Sequence, residues 1–200
     1  MITISQFRAF CKSHSAEEIV EKIILSNDAL HVSSENMLYI LDKLAIKFGV
    51  ANTSIYLRVV GSAKLGFSIT EKKIKGGEIL PRYRRFSPNS DIDTAIVSPE
   101  IYRLIWDDIG IFAHGQPYIP WDSGKLGDYM AYGWLRPDHF PKGKRIRRCD
   151  DWSDLFRELS SNPKFDRRKV SGALFHSIND LKRYHHRSVE DCIRVEKDPL

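Results

Sequence analysis

Cysteine is scarce in this chain, and its three copies, Cys11, Cys149 and Cys192, stand far apart with no Cys-x-x-Cys pair. That argues against a disulfide framework and a thiolate zinc site, so ordinary reduced thiols are expected. No His-x-x-x-His or mixed Cys/His spacing occurs among the seven histidines, and His185-His186 on a late helix is read as structural. Long apolar runs are missing too. No segment approaches the roughly 18 uninterrupted apolar residues of a membrane span, and the stretch from Met1 to Lys12 carries Gln6, Arg8 and Lys12. A cytoplasmic protein without membrane contact is the expectation. Internal repeats and low-complexity tracts are likewise lacking, which argues against solenoids and disordered linkers.

What is there is the composition of a globular chain: 42% apolar and 28% charged residues over 200 positions. This suffices for one core. A single domain over residues 1–200 is expected, with helices in about 1–50 and a strand and helix in about 168–198 packed on the core. The formal charge is +5, a modest excess whose placement matters more than its size. Lys72, Lys73, Lys75, Arg82, Arg84 and Arg85 crowd one segment, and Lys142, Lys144, Arg145, Arg147 and Arg148 crowd another.

Ser15-Ala-Glu-Glu18 reads as a capping box ahead of Ile19, Val20, Ile23 and Ile24. A clearer helix starts near Ser34, carries Met37, Leu38, Leu41, Leu44, Ala45 and Phe48 on one stripe, and stops at Gly49. Ile55 to Val60 reads as a strand ending in a tight turn at Gly61, and Ile92 to Val97 as a second strand. Between them, Gly76-Gly77, Pro81 and Pro88 suggest a loop or irregular hairpin. Pro99 opens a helix with Ile101, Tyr102, Leu104, Ile105 and Ile109. Phe112 to Lys144 receives no regular structure. Asp150 or Asp151 caps a short helix burying Trp152, Leu155, Phe156 and Leu159. Val170 to Phe175 reads as a third strand, and Ser177 to Asp180 opens a last helix whose apolar face carries Leu181, Tyr184, Val189, Cys192 and Ile193. The order indicates a mixed α+β or α/β fold.

The chemistry-bearing segments are Val59-Val-Gly-Ser-Ala-Lys-Leu-Gly66 and Ser90-Asp-Ile-Asp93. A glycine directly after a strand lets backbone N–H groups approach a phosphate, and the next serine adds a hydroxyl donor. Strand alternation puts Asp91 and Asp93 on one face and Ile92 on the other. Two carboxylates so placed can share divalent ions, as in two-metal sites that clamp the attacking and leaving oxygens of an in-line displacement. Tyr83 and Phe86 lie among the arginines of the basic segment and could stack on bases. Tyr129-Met-Ala-Tyr-Gly-Trp-Leu-Arg-Pro137 could wall a pocket, although packing is the commoner use of such a stretch.

On Gly61-Ser62 and Asp91-Ile92-Asp93 the chain resembles the DNA polymerase β-like nucleotidyltransferases, whose signature is a Gly-Ser turn after one palm strand and Asp-x-Asp on the next. Lys64, Gly66 and Ser90 look like parts of the wider pattern. The resemblance implies an α+β palm-like mixed sheet backed by helices, with Gly61, Ser62, Lys64 and Ser90 binding nucleotide and Asp91 and Asp93 binding metal. It also implies Mg²⁺ or Mn²⁺ dependence and transfer of a nucleoside monophosphate from an NTP to a hydroxyl, here of a protein or RNA acceptor. Small members work beside a toxin or defence partner, and a catalytically inactive nucleotide-binding or nucleic-acid-binding subunit is the alternative. The chain departs from the pattern in two ways. The interval between Ser62 and Asp91 is longer than in compact members, and the strand expected to bring a third carboxylate, Lys169-Val-Ser-Gly-Ala-Leu-Phe175, has none. Asp166 precedes that strand and is the first candidate, ahead of Asp150, Asp151 and Asp154.

Overall fold

A computed structural model describes residues 2–74, 76–116, 123–137 and 146–197. Four strands form a mixed sheet in the order β1 (Tyr56–Val60), β4 (Ile92–Val97), β6 (Val170–Phe175) and β5 (Trp134–Leu135). The central pair β4 and β6 is parallel, and both outer strands run antiparallel to their neighbours. The basic segment forms a separate hairpin of β2 (Lys72–Lys73) and β3 (Ile79–Leu80). The irregular hairpin read from its glycines and prolines is present.

Each face of the sheet has its own buried cluster because strand side chains alternate. On one face Leu57, Val59, Ile92, Ile96, Val170 and Leu174 pack under α3 (Ser34–Phe48), α5 (Pro99–His114) and α7 (Arg147–Ser161). On the other, Val60, Ala95, Val97 and Phe175 pack under α1 (Ile4–Ser13), α2 (Ala16–Ile19) with the π turn Val20–Ile24, and α8 (Ile178–Lys197). The central strand is buried at every position except Asp93.

Several helix limits have local causes. The Ser33 hydroxyl accepts from the N–H of Asn36 at 3.1 Å and starts α3, and Gly49 ends it at φ +67°. Its buried stripe is Ile40, Leu44, Ala45 and Phe48, while Leu38 is 58% exposed, so the apolar face is rotated from the one expected. The unforeseen α1 carries a reciprocal capping box of Thr3 and Gln6. Two further elements, α6 (Ser123–Ala131) and β5, occupy the stretch given no regular structure. The helix expected from Asp150 or Asp151 begins at Arg147 instead, with Ile146 as an N-cap that makes no side-chain bond. Asp108 of α5 supplies the cap from outside, accepting the Arg148 N–H at 3.1 Å and its guanidinium at 2.6 Å. Such a cap comes from a distant part of the chain, so local spacing does not show it. The three cysteines are free and buried.

Candidate functional site

The candidate site lies where β1 and β4 open toward the face covered by α8. Register pairs Val60 with Asp93, so the residue after β1, Gly61, lies next to that acid. Gly61 has φ +67°, and a Cβ there would stand 3.4 Å from Asp93 Oδ2. The left-handed backbone conformation is what favours glycine here, since the 3.4 Å distance is an ordinary contact. The short helical turn α4 (Gly61–Leu65) follows and ends at Gly66, φ +83°. At its start the first backbone N–H groups have no intrahelical acceptor. The Ser62 hydroxyl makes no hydrogen bond among the described residues.

Both aspartates flank a buried Ile92, 2% exposed, as alternation requires. Each is held by β6. The Ser171 hydroxyl donates to Asp93 Oδ1 at 2.6 Å, and the Lys169 ammonium donates to Asp91 Oδ2 at 3.3 Å. Asp93 Oδ2 therefore faces the Gly61 turn, while its other oxygen is turned to the neighbouring strand. From Asp93 a cavity of about 270 Å³ runs along the sheet beneath α8, lined among others by Gly61, Ser171, Arg136, Trp134, Tyr184 and His185. It exists because Ala95 and Ala173 are small where the opposite face carries Ile96 and Leu174. Burial pushes the His185 imidazole down to about 4, so it is neutral near pH 7.

The remaining expected site residues are engaged elsewhere. Lys64 is 5% exposed, and its ammonium donates to the Ser26 carbonyl at 2.7 Å, the Ser26 hydroxyl at 2.8 Å and the Asp28 carbonyl. Desolvation lowers its pKa against the pull of Asp28. It anchors the turn from behind and lines a different cavity, with Ile2, Phe10 and Leu30. The Ser90 hydroxyl accepts the Ser87 N–H at 2.9 Å and closes the turn that leads into Asp91. Asp166, in the left-handed conformation at φ 53°, lies 3.7 Å from the Arg168 guanidinium and is 84% exposed. Among the described residues no group of three or more His, Cys, Asp or Glu side chains is gathered as a metal site. Asp150, Asp151 and Asp154 lie on α7 beneath the opposite face, and Asp151 pairs with Lys47 at 3.0 Å.

The basic segment divides by role. Arg82 donates to the Ile69 carbonyl at 3.0 Å, and Arg84 to the Leu80 carbonyl at 3.0 Å and to the carbonyls of Thr70 and Pro81. These two fasten the hairpin to its own base. Lys72, Lys73 and Arg85 are exposed and make no ion pair among the described residues, whereas Lys75 lies outside them. Of the second basic cluster, Lys142, Lys144 and Arg145 lie outside the described residues. Tyr83 and Phe86, which could have stacked on bases, are both used internally. Tyr83 donates to buried Glu196 at 3.0 Å and packs edge-on to Phe7, and Phe86 stacks on His31 at 4.1 Å with Arg168 on its ring.

Sequence reasoning missed Lys169, Ser171 and the cavity lining of Tyr184, whereas Trp134 and Arg136, in the stretch read as able to wall a pocket, do line the cavity. The alternation of Lys169, just before β6, with Ser171 on it was legible, but which strand stands beside Asp91 and Asp93 follows only from pairing. Comparison with protein-family models, curated proteins and solved structures finds no match for this chain. Among the described residues no helix is long and apolar enough to cross a membrane.

Proposed function

We propose that this chain is a cytoplasmic nucleotidyltransferase of the polymerase β type, moving a nucleoside monophosphate from an NTP to a hydroxyl of a protein or RNA acceptor. One observation carries the reading. The left-handed turn at Gly61-Ser62 abuts the Asp93 oxygen that β6 leaves free, at the end of the cavity beneath α8. Backbone donors and a carboxylate meeting at one point suit a phosphate bridged to a cation.

The residues fit one Mg²⁺ or Mn²⁺. Magnesium keeps several waters and takes one or two carboxylates together with substrate phosphates, which Asp91 and Asp93 can provide. When bound, the ion supplies charge neutralisation and Lewis acidity to the triphosphate. The chain itself contributes position. The Gly61-Ser62 turn takes phosphate oxygens through its N–H groups and the Ser62 hydroxyl, and the cavity admits the nucleoside, while α8 excludes water from one side. The acceptor oxygen forms a bond to the α-phosphorus, the bond from that phosphorus to the bridging oxygen breaks, and pyrophosphate leaves. The hydroxyl proton passes to solvent.

A second reading, a non-catalytic nucleotide-binding subunit, is favoured by the Lys169 ammonium on Asp91. Incubation with each α-labelled NTP, Mg²⁺ or Mn²⁺, and RNA or lysate separates the two. Transfer of label that falls at least about a hundredfold in Asp93→Asn, the scale for removing a group that stabilises the transition state, supports the enzyme. NTP binding without transfer supports the second reading. Absence of both contradicts each.

A further inference from the structure

The two central strands carry opposite chemistry at the same height. Parallel pairing sets Asp93 beside Ser171, and the Ile92 N–H donates to the Lys169 carbonyl at 2.8 Å, so Lys169 stands one step out, beside Asp91. Alternation then brings Lys169 and Ser171 to the face of the two acids. Each donates to one carboxylate, at 3.3 Å and 2.6 Å. One oxygen of Asp91 and one of Asp93 remain for a ligand.

Two divalent ions about 3.5 to 4 Å apart need carboxylates that reach both. A lysine ammonium on one of these carboxylates takes up a lone pair and adds a positive charge, which repels a second cation at short range. It also neutralises Asp91 without any ion. We propose that Lys169 is a positioning residue that places a positive charge beside Asp91, so that the dyad takes one divalent ion per chain instead of two. This rests on the nucleotidyltransferase reading, and it makes Lys169 the side chain that sets the number of ions.

The test is a Mn²⁺ titration followed by electron paramagnetic resonance, with α,β-methylene-ATP, which cannot transfer its nucleotide, at saturation. Wild type is expected to take up one Mn²⁺ per chain. Lys169→Met should tighten that ion about three- to tenfold, the range set by a largely exposed charge acting at short distance. Lys169→Asp, which adds a carboxylate beside the dyad, should admit a second ion. The Lys169 side chain is 69% exposed, so both variants should fold, and matching circular dichroism spectra and melting curves check this. Two ions on wild type overturn the inference, as does one ion of unchanged affinity in both variants; each leaves the nucleotidyltransferase reading standing. No Mn²⁺ on any of the three chains overturns both.

Discussion

The two faces of the sheet use the same backbone for different ends. Beneath α3, α5 and α7 the sheet presents Ile92, Ile96, Val170 and Leu174, all buried, and the fit is so close that Gly172 has no room for a side chain. Beneath α8 the matching positions are Asp93, Ala95, Ser171 and Ala173, which leave a cavity beside the core that Val60, Val97 and Phe175 help to fill. The first face supplies stability through dense packing. The second gives up part of that packing for polar groups and space, the usual character of a ligand site. The second face is therefore the one proposed to take a ligand.

The comparison can be broken most forcefully on the packed face. A methyl group at Gly172 would run into the ring of Phe156 and lie 2.9 Å from Trp152 Cζ2, both buried. Gly172→Ala is expected to destabilise the fold by about 3 kcal/mol, the upper end for overpacking, as read from denaturant midpoints. On the cavity face the corresponding change should leave the fold largely intact. Ala173→Leu extends into the cavity, so its stability should move by no more than about 1 kcal/mol, while NTP affinity drops at least about tenfold, or 1.4 kcal/mol. Equal destabilisation of the two variants would erase the distinction between the faces.

His185 sharpens the same contrast through pH. Its folded pKa lies near 4 against the ordinary 6.5, because burial disfavours the imidazolium. Between these values the unfolded chain binds more protons, so stability falls as pH drops from 6.5 toward 4. The loss reaches at most about 3 kcal/mol. Melting curves of wild type should show this dependence in that window, and His185→Phe should flatten it. No change of slope in the variant would mean that His185 is exposed to solvent.

The smallest effects are expected on the hairpin. Neutralising Lys72, Lys73 and Arg85 should leave stability unchanged and, if RNA is the acceptor, flatten the salt dependence of its binding by about 0.7 per lost contact. Arg82→Ala and Arg84→Ala should lower stability instead, because they bind carbonyls of their own loop. An RNA salt slope that responds to Arg82 and Arg84 and not to the three exposed residues would reverse this division of roles.

The strands around the site were legible because their signals are local. Ile92 to Val97 matches β4 residue for residue, and Val170 to Phe175 matches β6. Glycine at the β1 turn and alternation at Asp91 and Asp93 likewise needed only neighbours in sequence. The missing pieces depend on distant contacts. α7 is started by Asp108, about forty positions earlier, β5 is a two-residue strand fixed by pairing with β6, and Lys64 turned to Ser26 and Asp28 in place of an anion. Charge alone did not distinguish Arg84, bound to backbone, from exposed Arg85. Strand neighbourhood, unlike strand identity, is tertiary information, and it placed Lys169 on Asp91.

The central claim is that the opening between the Gly61-Ser62 turn and Asp93 is where nucleotide and cation meet. Paramagnetic broadening in the ¹⁵N spectrum measures this directly, with substoichiometric Mn²⁺ added in the presence of α,β-methylene-ATP. The account expects selective loss of the amide signals of Gly61, Ser62, Ile92, Asp93 and Ser171, with those of α5 and α7 kept, and no such loss in Asp93→Asn. Broadening centred elsewhere, or unchanged by Asp93→Asn, would contradict it.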